Sequence, residues 1–393
     1  MGIEERDAAR ALFPPMDALD AAGPLATPDV LIDAAAFIRG YMYAFPTVQL
    51  ALKMAHGFDR YLRGLFPGAR RFHFLLEGRV PATKHHERAL RSQARLAALR
   101  KKGVDFAADA DTLPPALRDP LGAAGGESVR DAVARYVGRG AAAVAADGDA
   151  LDDAVQRELV HQLLPELERV CLAAALGMTG DATAQVADGD DTLPPEGEGK
   201  ALPYARRLGR PCLFVGNDTD VFIIALLQAP RFADHPDVYY YDIARTRAGK
   251  GAPYVVDLVA CVRAVQQTHI PPRDIALALL MCGNDYVPSP EGTRMTLCKL
   301  ARARKRCDAT YLAAYQLVAA TRGDAEALTD LVATRFDAKV AYTRADVGAY
   351  VRRAMVAADY YNADSLADVP PDAAWLAHGW ETMTRPRVIA ADN

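Results

Sequence analysis

Two aspartates interrupt an apolar run in FVGNDTDVFIIALL, residues 214–227. Asp218 and Asp220 stand where the hydrophobic stretch breaks, so they either cap a turn or hold something positively charged. Other acids fall at comparable places. Asp33 closes VLID, Glu77 closes FHFLLE, and Glu196 and Glu198 lie in PEGEGKA ahead of the helix-like ALPYARRL. Asp285 follows an apolar helical run that ends at Gly283. Each acid alone has an ordinary explanation, because an aspartate at a strand end commonly caps a turn or a helix. The arrival of all of them at one edge is a different matter. Carboxylates crowded together repel and stay ionised only if cations neutralise them. An all-oxygen set of this kind suits Mg²⁺ or Mn²⁺, and a pair of such ions serves in-line phosphoryl displacement.

The elements that must deliver these acids are legible as short apolar runs. DVLIDA (29–34), RFHFLLEG (71–78), PCLFVGNDTD (211–220) and VYYYDI (238–243) read as buried strands bounded by Gly, Pro or charge. Helical patterns separate them, over 47–66 and over 152–176, the second with a kink expected at Pro165. Strands alternating with helices predict an α/β fold around a central, mostly parallel sheet flanked by helices. In such sheets ligands bind beyond the carboxyl ends of the strands, where Asp33, Glu77, Asp218 and Asp220 are expected.

A basic stripe follows Glu77. From Lys84 to Lys102 there are seven Lys or Arg and one acid, Glu87. Lys84, Arg88, Arg91, Arg95 and Lys102 fall on one helical face. Alone this is a solvated surface face. Beside a carboxylate cluster it reads as a grip on phosphate, with cations for positioning and transition-state charge. Acids that hold metal beside cations that hold phosphate form the layout of a metal-dependent phosphodiesterase.

Bulk properties narrow the alternatives. The 393 residues are long enough for one large or two smaller domains. No apolar run approaches the roughly 18–20 residues of a membrane span, and the N-terminus lacks a signal-peptide core. MGIEER has Arg6 where myristoylation wants Ser or Thr. The expectation is a protein of the cytoplasm or nucleus, not secreted and without membrane partners. Six cysteines without a CxxC pair argue against zinc and a disulfide framework. The formal net charge of −4 gives no global sign of nucleic-acid binding, so local clustering has to carry it.

At this point the motifs match a family pattern. The chain resembles the flap endonuclease/XPG family of structure-specific 5′ nucleases, which have a PIN-like fold. MGI resembles the family's start, with Gly2 near the active site, and LIDAAAFI resembles its first acidic motif. LLEGRVPATKHHERALRSQ resembles the D-G-x-x-P…K…R-S pattern, PEGEGKA the E-A-E-A helix start, GNDTDVFI the paired-aspartate motif, and LLMCGNDYV the G-x-D-Y motif. The resemblance covers residues 1–290. It implies two divalent ions, Mg²⁺ or Mn²⁺, held by Asp33, Glu77, Glu196, Glu198, Asp218, Asp220 and, partly through water, Asp285. It also implies Lys84 and Arg91 as the catalytic basic pair on a gateway helix, and a helical arch over the loosely patterned 103–150. The implied activity is hydrolysis of branched or 5′-ended DNA, in the service of repair or replication.

Three features depart from the family pattern. Glu77 replaces an aspartate. Gly197 and Gly199 replace alanines, which loosens that helix start, and Pro203 follows closely. After Asp285 only Gly292 remains of a glycine-rich, K⁺-binding turn, which weighs against K⁺. The basic residues there, among them Arg294, Lys299 and Arg302, remain suited to tracking a duplex, as Gly2, Arg88 and Arg95 are elsewhere. No PCNA-type peptide is evident at the end. The organisation expected is an N-terminal nuclease region over 1–102, an arch and connecting helix over 103–180, an internal nuclease region over 181–300, and a helical C-terminal region over 301–393. Three rivals stand beside this expectation: a PIN-like or 5′ exoribonuclease acting on RNA, a decayed nucleic-acid-binding scaffold, and a glycosyltransferase using DTD as a metal-binding motif.

Overall fold

Strands with apolar residues on both faces need cover on both sides, and the arrangement of the chain follows from that need. The computed structural model describes residues 6–45, 48–78, 160–187 apart from 162 and 181, 193–243, 253–283, 286–287, 293–295, 310–338 and 342–371, with a few isolated positions besides. The arch region over 103–150 lies outside the described residues, as do most of the basic stripe and the C-terminal tail.

Six strands make one sheet: β1 (Asp29–Asp33), β2 (Arg71–Leu75), β3 (Thr183–Ala187), β4 (Cys212–Gly216), β5 (Val238–Asp242) and β6 (Val255–Asp257). Their spatial order is β3-β2-β1-β4-β5-β6, parallel throughout except for the antiparallel β6. The chain builds outward from β1 through β2 to β3, then returns to lay β4 on the other side of β1. The strand order therefore reverses between β1 and β4, which makes that gap the topological switch point of the sheet.

Alternate strand residues feed two cores. Val30, Ile32, Phe72, Phe74, Leu213 and Val215 face the helices α3 (Ala34–Met42), α4 (Val48–His56), α5 (Phe58–Leu65) and α6 (Leu164–Leu176). Leu31, Leu75, Phe214, Val238 and Tyr240 face the other layer. That layer contains α1 (Arg6–Leu12), α7 (Gly197–Leu208), α8 (Asp220–Leu227), α9 (Leu258–Gln266) and α10 (Pro272–Leu280). The short α2 (Ala22–Leu25) precedes β1. Every residue of α8 is buried, as its uniformly apolar sequence DVFIIALL requires of a helix enclosed on all sides. In the C-terminal region α11 (Thr310–Ala320) packs onto α10, α13 (Arg344–Asn362) packs onto α10 and α8, α12 (Ala325–Arg335) packs onto α13, and β7 (Thr293–Met295) pairs with β8 (Phe336–Ala338). Among the described residues no helix is long and apolar enough to cross a membrane.

The α/β class, the mostly parallel sheet and the helical C-terminal region match the sequence expectation. Several details differ. β3 lies in a polar, glycine-rich stretch and carries a single large aliphatic residue, Val186, so its pattern is too weak to read. The helix expected over 47–66 is two helices separated at Gly57. Pro165 sits in the first turn of α6, where its missing N–H costs nothing; Val160 and His161 ahead of it are helical as well, and the start of the expected run, 152–159, lies outside the described residues. β4 ends at Gly216, which leaves Asp218 in a turn and Asp220 at the first position of α8.

The amino end of the sheet carries its own charge cluster. Asp29, fully buried, accepts from Arg71 Nη2 at 3.2 Å, Arg210 Nη2 at 3.0 Å and His73 Nε2 at 3.0 Å. With Nε2 donating to Asp29, His73 Nδ1 accepts from the Tyr204 hydroxyl at 3.0 Å. Burial alone would raise the Asp29 carboxyl, but the His73 hydrogen bond and the two guanidinium groups hold it below its ordinary value. Burial pushes His73 below 6.5 despite its carboxylate partner.

Both shifts have the same consequence for stability. The folded chain binds fewer protons than the unfolded one as pH falls below about 6.5 for His73, and again below 3.8 for Asp29. Stability is therefore full above these values and lost on acidification in two stages. Asp29→Asn should cost about 2–3 kcal/mol at neutral pH in urea denaturation. This is less than the roughly 3–5 kcal/mol of a fully enclosed pair, because Arg71 and Arg210 are 37% and 39% exposed and water takes part of their charge. The variant should also flatten the lower of the two acid transitions.

Candidate functional site

The carboxyl edge of the sheet brings together acids from distant parts of the chain. Register fixes the first of them. Asp33 lies opposite Leu75 of β2, and Ile32 lies opposite Val215 of β4. Glu77 is thus two residues past the end of the β1–β2 ladder, and Asp218 two residues past the end of β4. The loop carrying Glu196 closes on the same place. Gly78 N–H donates to the Pro195 carbonyl at 2.5 Å, which sets the backbone of Glu77 beside that of Glu196. Lys200, one turn into α7, donates from Nζ to the Leu76 carbonyl at 2.6 Å.

Gly197, between the two glutamates, shows how tight this junction is. A Cβ there would stand 2.9 Å from Asp33 Oδ1 and 3.2 Å from the Leu75 carbonyl. The glycine lets the start of α7 sit directly against the Asp33 carboxylate. The helix forms without interruption from Gly197 to Leu208 despite Gly199 and Pro203, and Glu196 occupies its N-cap position with Glu198 in its first turn. Glu196, Glu198 and Asp220 are 1%, 7% and 2% exposed, and Asp33 is 3% exposed. Such burial is costly for carboxylates unless charge or hydrogen bonds compensate.

Each carboxylate engages protein groups. Asp33 Oδ1 accepts from Ala36 N at 3.0 Å, capping α3, and Asp218 Oδ1 accepts from Asp220 N at 3.2 Å. The ordinary capping roles of these aspartates are therefore real and coexist with their gathering at one edge. Glu77 Oε2 lies 3.9 Å from Arg39 Nη2, and Asp220 Oδ2 accepts from the Tyr361 hydroxyl. The Tyr240 hydroxyl donates to the Asp218 carbonyl at 2.9 Å. Burial drives the Tyr240 phenol well above its usual value, and the charges of Asp242, Asp218 and Asp33 add to the rise.

Among the described residues, no three His, Cys, Asp or Glu side chains close on one point as a formed ion cage. The donor chemistry nonetheless fits a hard divalent cation: six carboxylates at one sheet edge, with no thiol or imidazole called for. Between Asp218 and Asp220 the Thr219 hydroxyl is buried, with no hydrogen-bond partner among the described residues.

Of the site residues expected from sequence, Asp33, Glu77, Glu196, Glu198, Asp218 and Asp220 stand at this edge. Arg294 lies in β7. Gly2, Lys84, Arg88, Arg91, Arg95, Asp285, Lys299 and Arg302 lie outside the described residues. Three neighbours were missed. Asp242 ends β5 in the same manner as Asp33 ends β1; it is buried, accepts from Arg245 N at 3.0 Å and faces Arg10 Nη2 at 3.6 Å. The strand VYYYDI announced it. Glu168 of α6 is raised first by burial and then by Glu77, while Arg39 opposes the rise. Lys200 is a buried ammonium among acids, and its place directly after Glu198 and Gly199 was the signal.

Compared with known proteins, the chain matches no protein-family model and no curated relative.

Gly197→Ala should destabilise the fold by about 1–3 kcal/mol in urea denaturation, the usual cost of overpacking a tight site, because its new methyl meets Asp33 and the backbone of Leu75. Gly199→Ala, whose Cβ would meet the Pro194 side chain at 3.3 Å and the Glu196 Cβ at 4.0 Å, should cost less than about 1 kcal/mol. Equal costs would mean that the Asp33–Gly197 approach is not the constraint.

Proposed function

We propose that this chain is a divalent-metal-dependent 5′ nuclease of the PIN-like kind, hydrolysing phosphodiester bonds in branched or 5′-ended DNA. One observation carries the reading. Acids from three adjacent parallel strands and from the start of α7 gather at the carboxyl edge beside the switch point, with Asp33 pressed against the glycine between Glu196 and Glu198. That is the place where this class of sheet binds ligands. An edge so rich in carboxylates is suited to an anionic substrate only when cations offset its charge.

Asp33, Glu77, Glu196, Glu198, Asp218 and Asp220 would hold the ions, with Asp285 of the sequence GND as the seventh acid. When bound, a pair of divalent ions supplies Lewis acidity and charge neutralisation for in-line phosphoryl displacement. The chain's own contribution is preorganisation. β1, β2 and β4 fix the bases of the acids, and the buried α8 holds Asp220. Lys84 and Arg91 would neutralise charge on the scissile phosphate and orient it. DNA as the substrate rests on the family resemblance.

Asp218→Asn should abolish cleavage of a 5′-flap DNA in Mg²⁺ or Mn²⁺ while substrate binding in a gel-shift assay changes little. Undiminished cleavage by the variant would place the reaction elsewhere. Matched flap substrates in DNA and RNA should show the DNA cut faster, and the reverse order would reassign the substrate to RNA.

A further inference from the structure

We propose that Tyr361, at the end of the C-terminal helix α13, is a positioning residue whose hydroxyl aims the Asp220 carboxylate into the ion site. The inference rests on the nuclease reading of that site. It gives the C-terminal region, for which no family motif suggests a role, a direct part in the chemistry.

The geometry is specific. Asp220 opens α8, whose residues are all buried, and Oδ2 of its carboxylate accepts from the Tyr361 hydroxyl. Both residues are 2% exposed, so this hydrogen bond runs where water does not compete for either group. A carboxylate has two oxygens and rotates about one bond. Fixing Oδ2 leaves the plane of the group, and hence the direction of Oδ1, determined. This is the relation seen around metal centres, where an outer hydrogen bond sets the orientation of an inner ligand.

The phenol is itself held from several sides. Immediately after it, Arg231 Nη1 donates to the Asn362 carbonyl at 3.0 Å and to Asn362 Oδ1 at 2.8 Å. Gln228 Nε2, just past the end of α8, donates to the Ala363 carbonyl at 3.4 Å. Arg206 of α7 pairs with Asp364. The end of α13 is thereby tied to α7 and to the end of α8, both of which carry candidate acids. Earlier on α13, the Tyr350 hydroxyl donates to the Met281 carbonyl at 2.9 Å and Arg353 Nε to the Tyr286 carbonyl at 2.7 Å. These two bonds hold the backbone at Met281 and at Tyr286. A helix that only covered the core would need apolar contacts. This one reaches past its apolar face to hold the backbone and side chain of the acid-bearing segments.

The test uses the full chain and Mn²⁺ alone, titrated by calorimetry and by the paramagnetic signal of the free ion. Tyr361→Phe removes one oxygen and should weaken Mn²⁺ binding about 10-fold or more, within the 10–100-fold typical of lost outer hydrogen bonds. Thr329→Val, which removes a buried hydroxyl of α12 bonded to the Ala325 carbonyl of its own helix at 2.7 Å, should lose comparable thermal stability yet bind Mn²⁺ as the parent chain does. Arg231→Gln, which loosens Asn362 beside Tyr361, should weaken binding several-fold and serves if Tyr361→Phe fails to fold. Unchanged Mn²⁺ affinity in Tyr361→Phe, or in Arg231→Gln if that variant stands in, overturns the proposal and leaves the nuclease reading intact. Equal weakening in Thr329→Val also overturns it, since the effect would then be general. A parent chain with no saturable Mn²⁺ binding overturns both.

Discussion

Mutual repulsion of carboxylates is the constraint around which this molecule is organised. Six acids, several almost wholly buried, stand at one edge of one sheet. Concentrated negative charge of this kind opposes folding, and a chain tolerates it only when the rest of the structure holds the groups in place. The holding is visible at several positions: a ladder under Asp33, a backbone hydrogen bond between Gly78 and Pro195, a buried helix behind Asp220, and the ammonium of Lys200 on the Leu76 carbonyl. On the proposed reading, the fold accepts a local cost in return for a site whose geometry is settled before any ligand arrives.

The two ends of the sheet treat charge in opposite ways. At the amino end Asp29 is enclosed by two guanidinium groups and an imidazole, and its charge is satisfied internally. Among the described residues, the acids at the carboxyl end outnumber the cations near them. Asp29 is as buried as any of the candidate ligands, so burial of an acid alone does not distinguish structure from chemistry. The balance of its neighbours does.

Much of the fold was legible because its signals are local. β1, β2, β4 and β5 are apolar runs with sharp edges, and each was read to within a few residues. β3 was not, because it runs along the far side of β2 and its sequence TAQVA lacks the apolar density of the inner strands. Tertiary pairing, not propensity, makes it a strand. The acids were legible as residues at strand ends, and Asp242 followed the same rule unnoticed. What no sequence pattern could give is contact across distance. That Gly197 is a glycine because Asp33 leans on it, and that a tyrosine over a hundred residues downstream touches Asp220, are facts of packing between segments. Glycines in place of alanines and a proline inside α7 looked like weaknesses in the sequence, yet the helix runs through them unbroken.

The complete enclosure of α8 divides the acids by how far each can travel. Asp220 is rooted in a helix with no free face, so moving its main chain would require the surrounding core to move as well. Glu77 is on the segment just past β2, with a side chain longer by one methylene than aspartate and 21% exposed. On the proposed reading, an incoming cation would meet one wall that does not yield and one with room to move. Adjustment to ions of different radius would fall to the glutamate, and the aspartate would supply the fixed point against which that adjustment is made.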